Sequence, residues 1–324
     1  FTSIMASFNV SILFETPPKT ELDVNLKNAD ADIVQNLKQT IAKPTKKRSS
    51  AKAKNTTDHS VQMPSHVYDT IVVGAGISGI AAAVKLNKVG YDNYIVIEKA
   101  DRVGGAWREN TYPGCGCDVP SALYSFSFAP SYKWSHLFAK QPEILSYLEE
   151  VVDQFDLKKK IEFNNELMNA KWDEDKHVWQ LETQKGAYQA KTVIFSTGPI
   201  TEPSMPKLKG IETFKGEMFH SARWNHDCDL SAKRIAVIGT GASAIQFVPQ
   251  IQPLASELFI FQRTAPWVLP KPDFPLGEKG KLLVEKIPAI QQKWRGVVAS
   301  SLNIINFGLR NPKVLEPVNF LSRK

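Results

Sequence analysis

Two glycine-rich loops of one kind carry the clearest chemical potential in this chain: Gly74-Ala-Gly76-Ile-Ser78-Gly79 and Gly239-Thr240-Gly241-Ala242-Ser243-Ala244. Each follows a short β-branched run, Tyr68–Val73 and Lys233–Ile238, and each precedes a helical pattern, Ile80–Val89 in the first case. In such a loop the first glycine permits a tight turn and the second lets backbone approach a pyrophosphate. The third lets helix and strand pack closely, and alanine, as at Ala244, is an allowed variant there. Phosphates then rest on the helix N-terminus, where free N–H groups and the helix dipole favour negative charge. A second strand follows each loop. Tyr94–Ile97 ends in Glu98, 19 residues past Gly79, and Leu258–Phe261 ends in Gln262-Arg263-Thr264, with Arg263 19 residues past Ala244. An acid at that offset accepts hydrogen bonds from ribose hydroxyls. An arginine there pairs with a 2′-phosphate, or merely snorkels at a strand end. The acid and the base together imply FAD at the first loop and NADPH at the second, with hydride passing from nicotinamide to flavin.

Two further stretches lie between these strands. The first is Gly104-Gly105-Ala-Trp107-Arg-Glu-Asn-Thr-Tyr112-Pro113-Gly114-Cys-Gly-Cys-Asp118, continuing through Pro120 to Tyr124. Its glycine pair and prolines read as a long ordered loop without regular structure. Trp107, Tyr112 and Tyr124 either stack on a flat ring or belong to the core. Asp118, flanked by Cys117 and Val119, is either a partly buried site carboxylate or a turn cap. The second is an aromatic connector, Phe214-Lys-Gly216-Glu-Met-Phe-His220-Ser-Ala-Arg-Trp224. His220 reads as a residue that positions the connector rather than as a general acid or base.

The elements that must hold these residues follow from pattern. Pro142–Phe155 repeats apolar residues at helical spacing, and Leu167–Trp172, Val178–Glu182 and Tyr188–Phe195 form a β-meander. The fold class is α/β, with two Rossmann-like dinucleotide-binding domains. Residues 65–205 are expected to be the FAD-binding domain and 206–270 the connector with the NADPH-binding domain. Residues 271–324 read as a helical insertion, helical in pattern over 278–307. Residues 1–64 read as a basic tail with one weak helix over 31–41. Five lysines and one arginine between Lys43 and Lys54 account for 6 of the net +7 charge, so the remainder is nearly neutral and nucleic acid is not an expected partner. Three cysteines exclude a disulfide framework and fit a reducing, cytoplasmic setting. The one-residue spacing of Cys115 and Cys117 fits neither a zinc pair nor a redox loop, so no metal is expected. No apolar run reaches the ~20 residues of a membrane span, and the apolar first residues lack the marks of a signal peptide.

From Tyr68 to Pro270 the chain resembles the flavoprotein monooxygenases, and most closely the type I Baeyer–Villiger monooxygenases. The connector is similar to that family's pattern at Phe214, Gly216, His220 and Trp224, and the long loop at Gly104, Gly105, Trp107, Tyr112, Pro113, Gly114 and Asp118. Asn225 departs from the Pro or Asp usual after the tryptophan, which leaves N- or S-oxygenation as an alternative to carbonyl oxidation. The resemblance implies that NADPH reduces FAD, that O₂ adds to give a peroxyflavin, and that a ketone or aldehyde becomes an ester or lactone. It assigns Gly74, Gly76, Ser78, Gly79, Glu98, Gly105, Trp107, Asp118, Tyr124 and Leu167 to FAD. To NADPH it assigns Gly239, Thr240, Gly241, Ala242, Ser243, Ala244, Gln246, Arg263 and Thr264. Asp118 is expected to support a catalytic arginine that lies outside this chain. The chain is accordingly expected to be a fragment of a longer enzyme, with an inactive nucleotide-binding piece as the remaining alternative.

Overall fold

A computed structural model describes residues 64–200, 202–266, 268, 271–277 and 286–310. The basic run, the helix expected over 31–41 and much of the expected helical stretch over 278–287 lie outside the described residues. Strand β1 (Val67–Val73) sits in the middle of the first sheet. Its run Ile71-Val72-Val73 is buried, as a parallel strand covered on both faces requires. Strand β2 (Tyr94–Ile97) pairs with it in parallel on one side, and β6 (Gly186–Phe195) in parallel on the other. Beyond β2 lies β3, the two residues Ile161–Glu162, too short to be legible as a strand in the sequence. The expected meander is present as β4 (Leu167–Asp173), β5 (Val178–Thr183) and β6. Its last strand is long enough to do two jobs. Residues Gly186 to Ala190 pair with β5, and residues Gln189 to Phe195 pair with β1, giving the sheet order β3-β2-β1-β6-β5-β4.

Alternation along β1 and β2 builds two apolar layers. Val72, Tyr94 and Val96 face helices α1 (Ile77–Lys88) and α3 (Gln141–Gln154), which supplies Ile144, Leu148, Val151 and Val152. Ile71, Val73, Ile95 and Ile97 face the other way, against Leu181, Ala190 and Val193. Helix α1 starts at Ile77, three residues earlier than its apolar pattern predicts, so its first turn is part of the glycine loop. Gly79 lies inside that turn. A Cβ there would fall 1.8 Å from the carbonyl oxygen of Gly74, and Gly74 itself has φ +100°. The third glycine is thus a requirement of helix–strand contact rather than of any ligand.

The second sheet pairs β7 (Arg234–Ile238) with β8 (Glu257–Phe261) in parallel, connected through α4 (Ala242–Ile251). Helix α4 stands far enough from its loop to accept the buried methyl of Ala244. Around Gly241 nothing lies within 4 Å of a would-be Cβ. The long loop is not wholly irregular, contrary to expectation. Gly104 (φ +121°) and Gly105 (φ +53°) turn the chain back, and the four residues that follow form a single helical turn, α2 (Ala106–Glu109). Alanine, tryptophan, arginine and glutamate contain no breaker, and the next proline is Pro113. Helix α5 (Pro288–Arg310) touches the same loop through Arg295, which donates to the carbonyls of Ala122 and Ser125 at 2.9 Å each.

The two glycine loops therefore respond differently to a methyl group. Gly79→Ala is expected to destabilise the chain by about 3 kcal/mol or more, because backbone cannot yield as a flexible side chain can. Gly241→Ala is expected to change stability by less than about 0.5 kcal/mol. Denaturant unfolding of both variants measures the contrast.

Candidate functional site

The first glycine loop and the long loop meet backbone to backbone. The Gly104 N–H donates to the Ala75 carbonyl at 3.0 Å. A Cβ on Gly105 would lie 3.0 Å from the Cα of Gly76, and one on Gly76 3.6 Å from that of Gly105. Two bare backbones leave a floor of peptide groups at the start of α1, with half-buried Ser78 in its first turn. Glu98 reaches this floor from the end of β2. It is 4% exposed, and its Oε2 accepts the Ala75 N–H at 2.6 Å while Oε1 accepts the Ala100 N–H at 3.0 Å. The Asn165 N–H donates to the Glu98 carbonyl at 2.9 Å, which brings the start of β4 and Leu167 to the same end of the sheet. Trp107 and Tyr124 are joined edge to face at 5.6 Å, and Trp107 Nε1 donates to the Tyr124 hydroxyl at 2.9 Å. Burial raises the Tyr124 phenol far above its usual value.

Sequence reasoning missed the cation beside Glu98. Arg108, on α2, places Nη1 3.3 Å from Oε1 of Glu98 and donates from the same nitrogen to the Arg102 carbonyl at 2.5 Å. Its Nε and Nη2 donate to Oε1 of Glu109 at 3.0 and 2.5 Å. The other oxygen of Glu109 is 3.1 Å from Nη1 of Arg223, in the connector. A line of alternating charges thus runs from the first loop to the connector. It exists only because the turn at Gly104 and Gly105 swings α2 back over β2, and no local pattern announces that. His220 caps the short 3₁₀ turn Ser221–Arg223, its Nδ1 accepting the Ala222 N–H at 3.1 Å. His220 thereby sets the turn from which Arg223 projects. Phe214 is exposed and folds its ring over Gly216, where a Cβ would lie 2.7 Å from the ring.

The connector and the long loop both close on α4. Phe247 lies between the ring of Tyr112, 6.0 Å away, and that of Trp224, 5.3 Å away. Gln246, beside it, uses every atom of its amide. Oε1 accepts from the Tyr112 hydroxyl at 3.0 Å and from the Gly116 N–H at 3.2 Å, and Nε2 donates to the Gly116 carbonyl at 2.9 Å. Nε2 also lies 3.1 Å from Oδ1 of Asp118, which Lys271 pairs at 3.0 Å. The structure thus turns Gln246 toward the long loop. Asp118 is not partly buried as its neighbours imply, for its side chain is 59% exposed. Its neighbour Cys117 is buried, and the chain bends at Asp118, whose side chain turns outward to Gln246 and Lys271. At the second loop, Gly239 (φ +106°) and Gly241 face open space, and Gln262 donates to the Thr240 hydroxyl at 3.1 Å across the strand ends. Arg263 and Thr264 stand exposed at the end of β8.

Residues 71–274 match the family described as pyridine nucleotide-disulphide oxidoreductase. The chain belongs to that family. Among curated relatives, it is 44% identical over 254 residues to a Baeyer–Villiger monooxygenase of Pseudomonas aeruginosa, covering 78% of this chain and 48% of that protein. A Baeyer–Villiger monooxygenase of Streptomyces coelicolor is 46% identical over 227 residues, 70% of this chain and 44% of that one. This chain spans about half the length of these two relatives. Among solved structures, an oxidized steroid monooxygenase bound to NADP superposes with a TM-score of 0.63 at 40% identity, covering 68% of this chain and 43% of that chain. OTEMO in complex with FAD and NADP gives 0.64 at 35% identity, with 69% and 44% covered. The resemblance drawn from the two signature stretches is borne out. Within the family, two of this member's three cysteines are packed into apolar clusters. Cys115 and Cys117 are free and buried, and burial pushes their thiols up to about 11 and about 12. Among the described residues, no helix is long and apolar enough to cross a membrane.

Gln246→Leu is expected to destabilise the chain by about 2 kcal/mol, since it strands the Gly116 N–H and carbonyl. Tyr112→Phe, which leaves that pairing intact, is expected to cost about 1 kcal/mol; urea unfolding of the two variants ranks them. The thiols fix a pH response. Their folded-state values lie above the ordinary 9.0, so below about pH 9 both folded and unfolded chains keep the protons and stability is intact. From there toward pH 11 to 12 the unfolded chain deprotonates first, and stability falls. Iodoacetamide at pH 8 is expected to leave Cys115 and Cys117 unmodified until the chain is unfolded in urea, as mass mapping would record.

Proposed function

We propose that this chain forms the dinucleotide-binding part of an FAD- and NADPH-dependent monooxygenase that oxidises a ketone or aldehyde to an ester or lactone. The observation that carries the reading is the pairing of two like loops with unlike strand ends: buried Glu98 after the first and exposed Arg263 after the second. We assign residues 65–205 to FAD and 206–270 to the connector and NADPH. Both sites fit their groups. The floor formed by Gly76 and Gly105 has no side chain to obstruct a pyrophosphate, and Glu98 offers an acceptor to a ribose. The space around Gly239 and Gly241 is open, and no described residue pairs with Arg263. An arginine so placed suits the 2′-phosphate that separates NADPH from NADH.

The chemistry this cofactor pair supplies when bound is hydride transfer from nicotinamide to flavin and activation of O₂ beside a carbonyl. The work of the chain's own residues is binding and orientation. The α1 N-terminus and the bare floor hold one pyrophosphate, and the α4 N-terminus holds the other. Trp107 and Tyr124, locked to each other, wall the first site. Asp118 and Lys271 form an ion pair at the junction of the long loop and α4, beside the Gln246 contact. Support for carbonyl oxidation comes from the Baeyer–Villiger relatives and the NADP-bound and FAD-bound neighbours. A role for the cysteines as a disulfide redox pair is disfavoured by their burial and raised pKa values. A reducing cytoplasm is the setting that suits such thiols.

Arg263→Ala is expected to weaken NADPH at least tenfold while leaving NADH within about twofold, the signature of a lost phosphate contact. Titration of the 324-residue chain with each nucleotide measures it; equal weakening of both would overturn the assignment of the second site. In the full-length protein, NADPH consumption driven by a ketone but not by a thioether supports carbonyl oxidation, and the reverse pattern supports S-oxygenation.

A further inference from the structure

Glu98 is engaged by more protein donors than a ribose-reading acid needs. A carboxylate has about four lone-pair positions, two on each oxygen. Oε1 accepts from the Ala100 N–H at 3.0 Å and from Nη1 of Arg108 at 3.3 Å, and Oε2 accepts from the Ala75 N–H at 2.6 Å. Three positions are taken, and the one that remains lies on Oε2. The guanidinium on Oε1 is not easily displaced. Nη1 also donates to the Arg102 carbonyl, and Nε and Nη2 are both held by Oε1 of Glu109. Glu109 is itself anchored on its far oxygen by Arg223 of the connector. The Arg108 and Glu98 side chains are 8% and 5% exposed, so water does not compete freely for either group.

We propose that Arg108 is a specificity-determining residue of the first dinucleotide site. By occupying Oε1 it leaves Glu98 a single acceptor, so the site reads one of the two hydroxyls on the adenosine ribose and is indifferent to the other. Without Arg108, both carboxylate oxygens have a free position, and Glu98 takes both hydroxyls. The residue acts through Glu98 and through no contact of its own with the ribose. Glu109 and Arg223 keep it there, which ties ribose selectivity to the position of the connector. This inference rests on reading the first glycine loop as the FAD site.

The test titrates the 324-residue chain with FAD and with FAD analogues carrying 2′-deoxyadenosine or 3′-deoxyadenosine, followed by flavin fluorescence. In the wild-type chain one analogue is expected to bind within about twofold of FAD and the other about tenfold more weakly or worse, the loss of one hydrogen bond to a charged acceptor. In Arg108→Met both analogues are expected to bind more weakly than FAD by about tenfold. Arg108→Lys, which keeps a cation beside Oε1, is expected to retain the one-sided wild-type pattern. Equal weakening of the two analogues in the wild-type chain would overturn the inference, whether or not Arg108→Met folds. So would a one-sided pattern that persists unchanged in Arg108→Met. Failure of the wild-type chain to bind FAD at all has a separate signature, because it removes the FAD reading of the loop and the inference built on it together.

Discussion

The side-chain amide of Gln246 pairs with the peptide of Gly116 in both directions, and the relation between the two glycine loops depends on that pairing. An amide matched to a peptide group is directional and tolerates little displacement, so it fixes register. The apolar contacts around it are different in kind. Tyr112, Phe247 and Trp224 bury area, but area alone lets rings slide. Strength comes from the rings and register from the amide. Gln246 lies on the helix that begins at the second loop, and Gly116 follows the segment docked on the first, so this pairing joins the two loops through a few residues.

Electrostatics adds a graded connection beside this one. The contact between Glu98 and Arg108 is buried, that between Arg108 and Glu109 partly so, and that between Glu109 and Arg223 reaches water, with Arg223 40% exposed. Screening weakens charge pairs as they approach solvent. The inner contact therefore holds its geometry under conditions in which the outer one loosens. A second tie between loop and connector, the 2.8 Å contact of Thr111 with His226, carries no net charge pair and is insensitive to that screening.

Much of this arrangement was legible in the sequence because it is local. The strand–loop–helix units follow from β-branched runs and glycine spacing, and β2, β5 and β8 lie within a residue of where their patterns end. Helix α1 began earlier than its apolar period because Ser78 and Gly79, which carry no period, separate Ile77 from the apolar run that starts at Ile80. The two-residue β3 was invisible, since two residues have no pattern. Asp118 was misread as partly buried because apolar neighbours in sequence do not set where a side chain points once the backbone bends. The partners of Arg108 and Gln246 were out of reach for a further reason. Each depends on a backbone reversal or a packing angle set far along the chain, and composition holds no record of either.

The unequal crowding of the two glycine loops bears on how such proteins diversify. At the first loop a single methyl meets backbone, so the sequence there is held by the fold whatever ligand it serves. At the second, Gly239 and Gly241 border empty space and Arg263 stands on an open strand end. A methyl on Gly241 would meet no neighbour, so there the architecture persists, whereas Gly239, at φ +106°, is held by its backbone conformation. On the proposed assignment of the second loop to a nucleotide, preference can therefore change at Gly241 and Arg263 while the first loop stays fixed by its own backbone contacts.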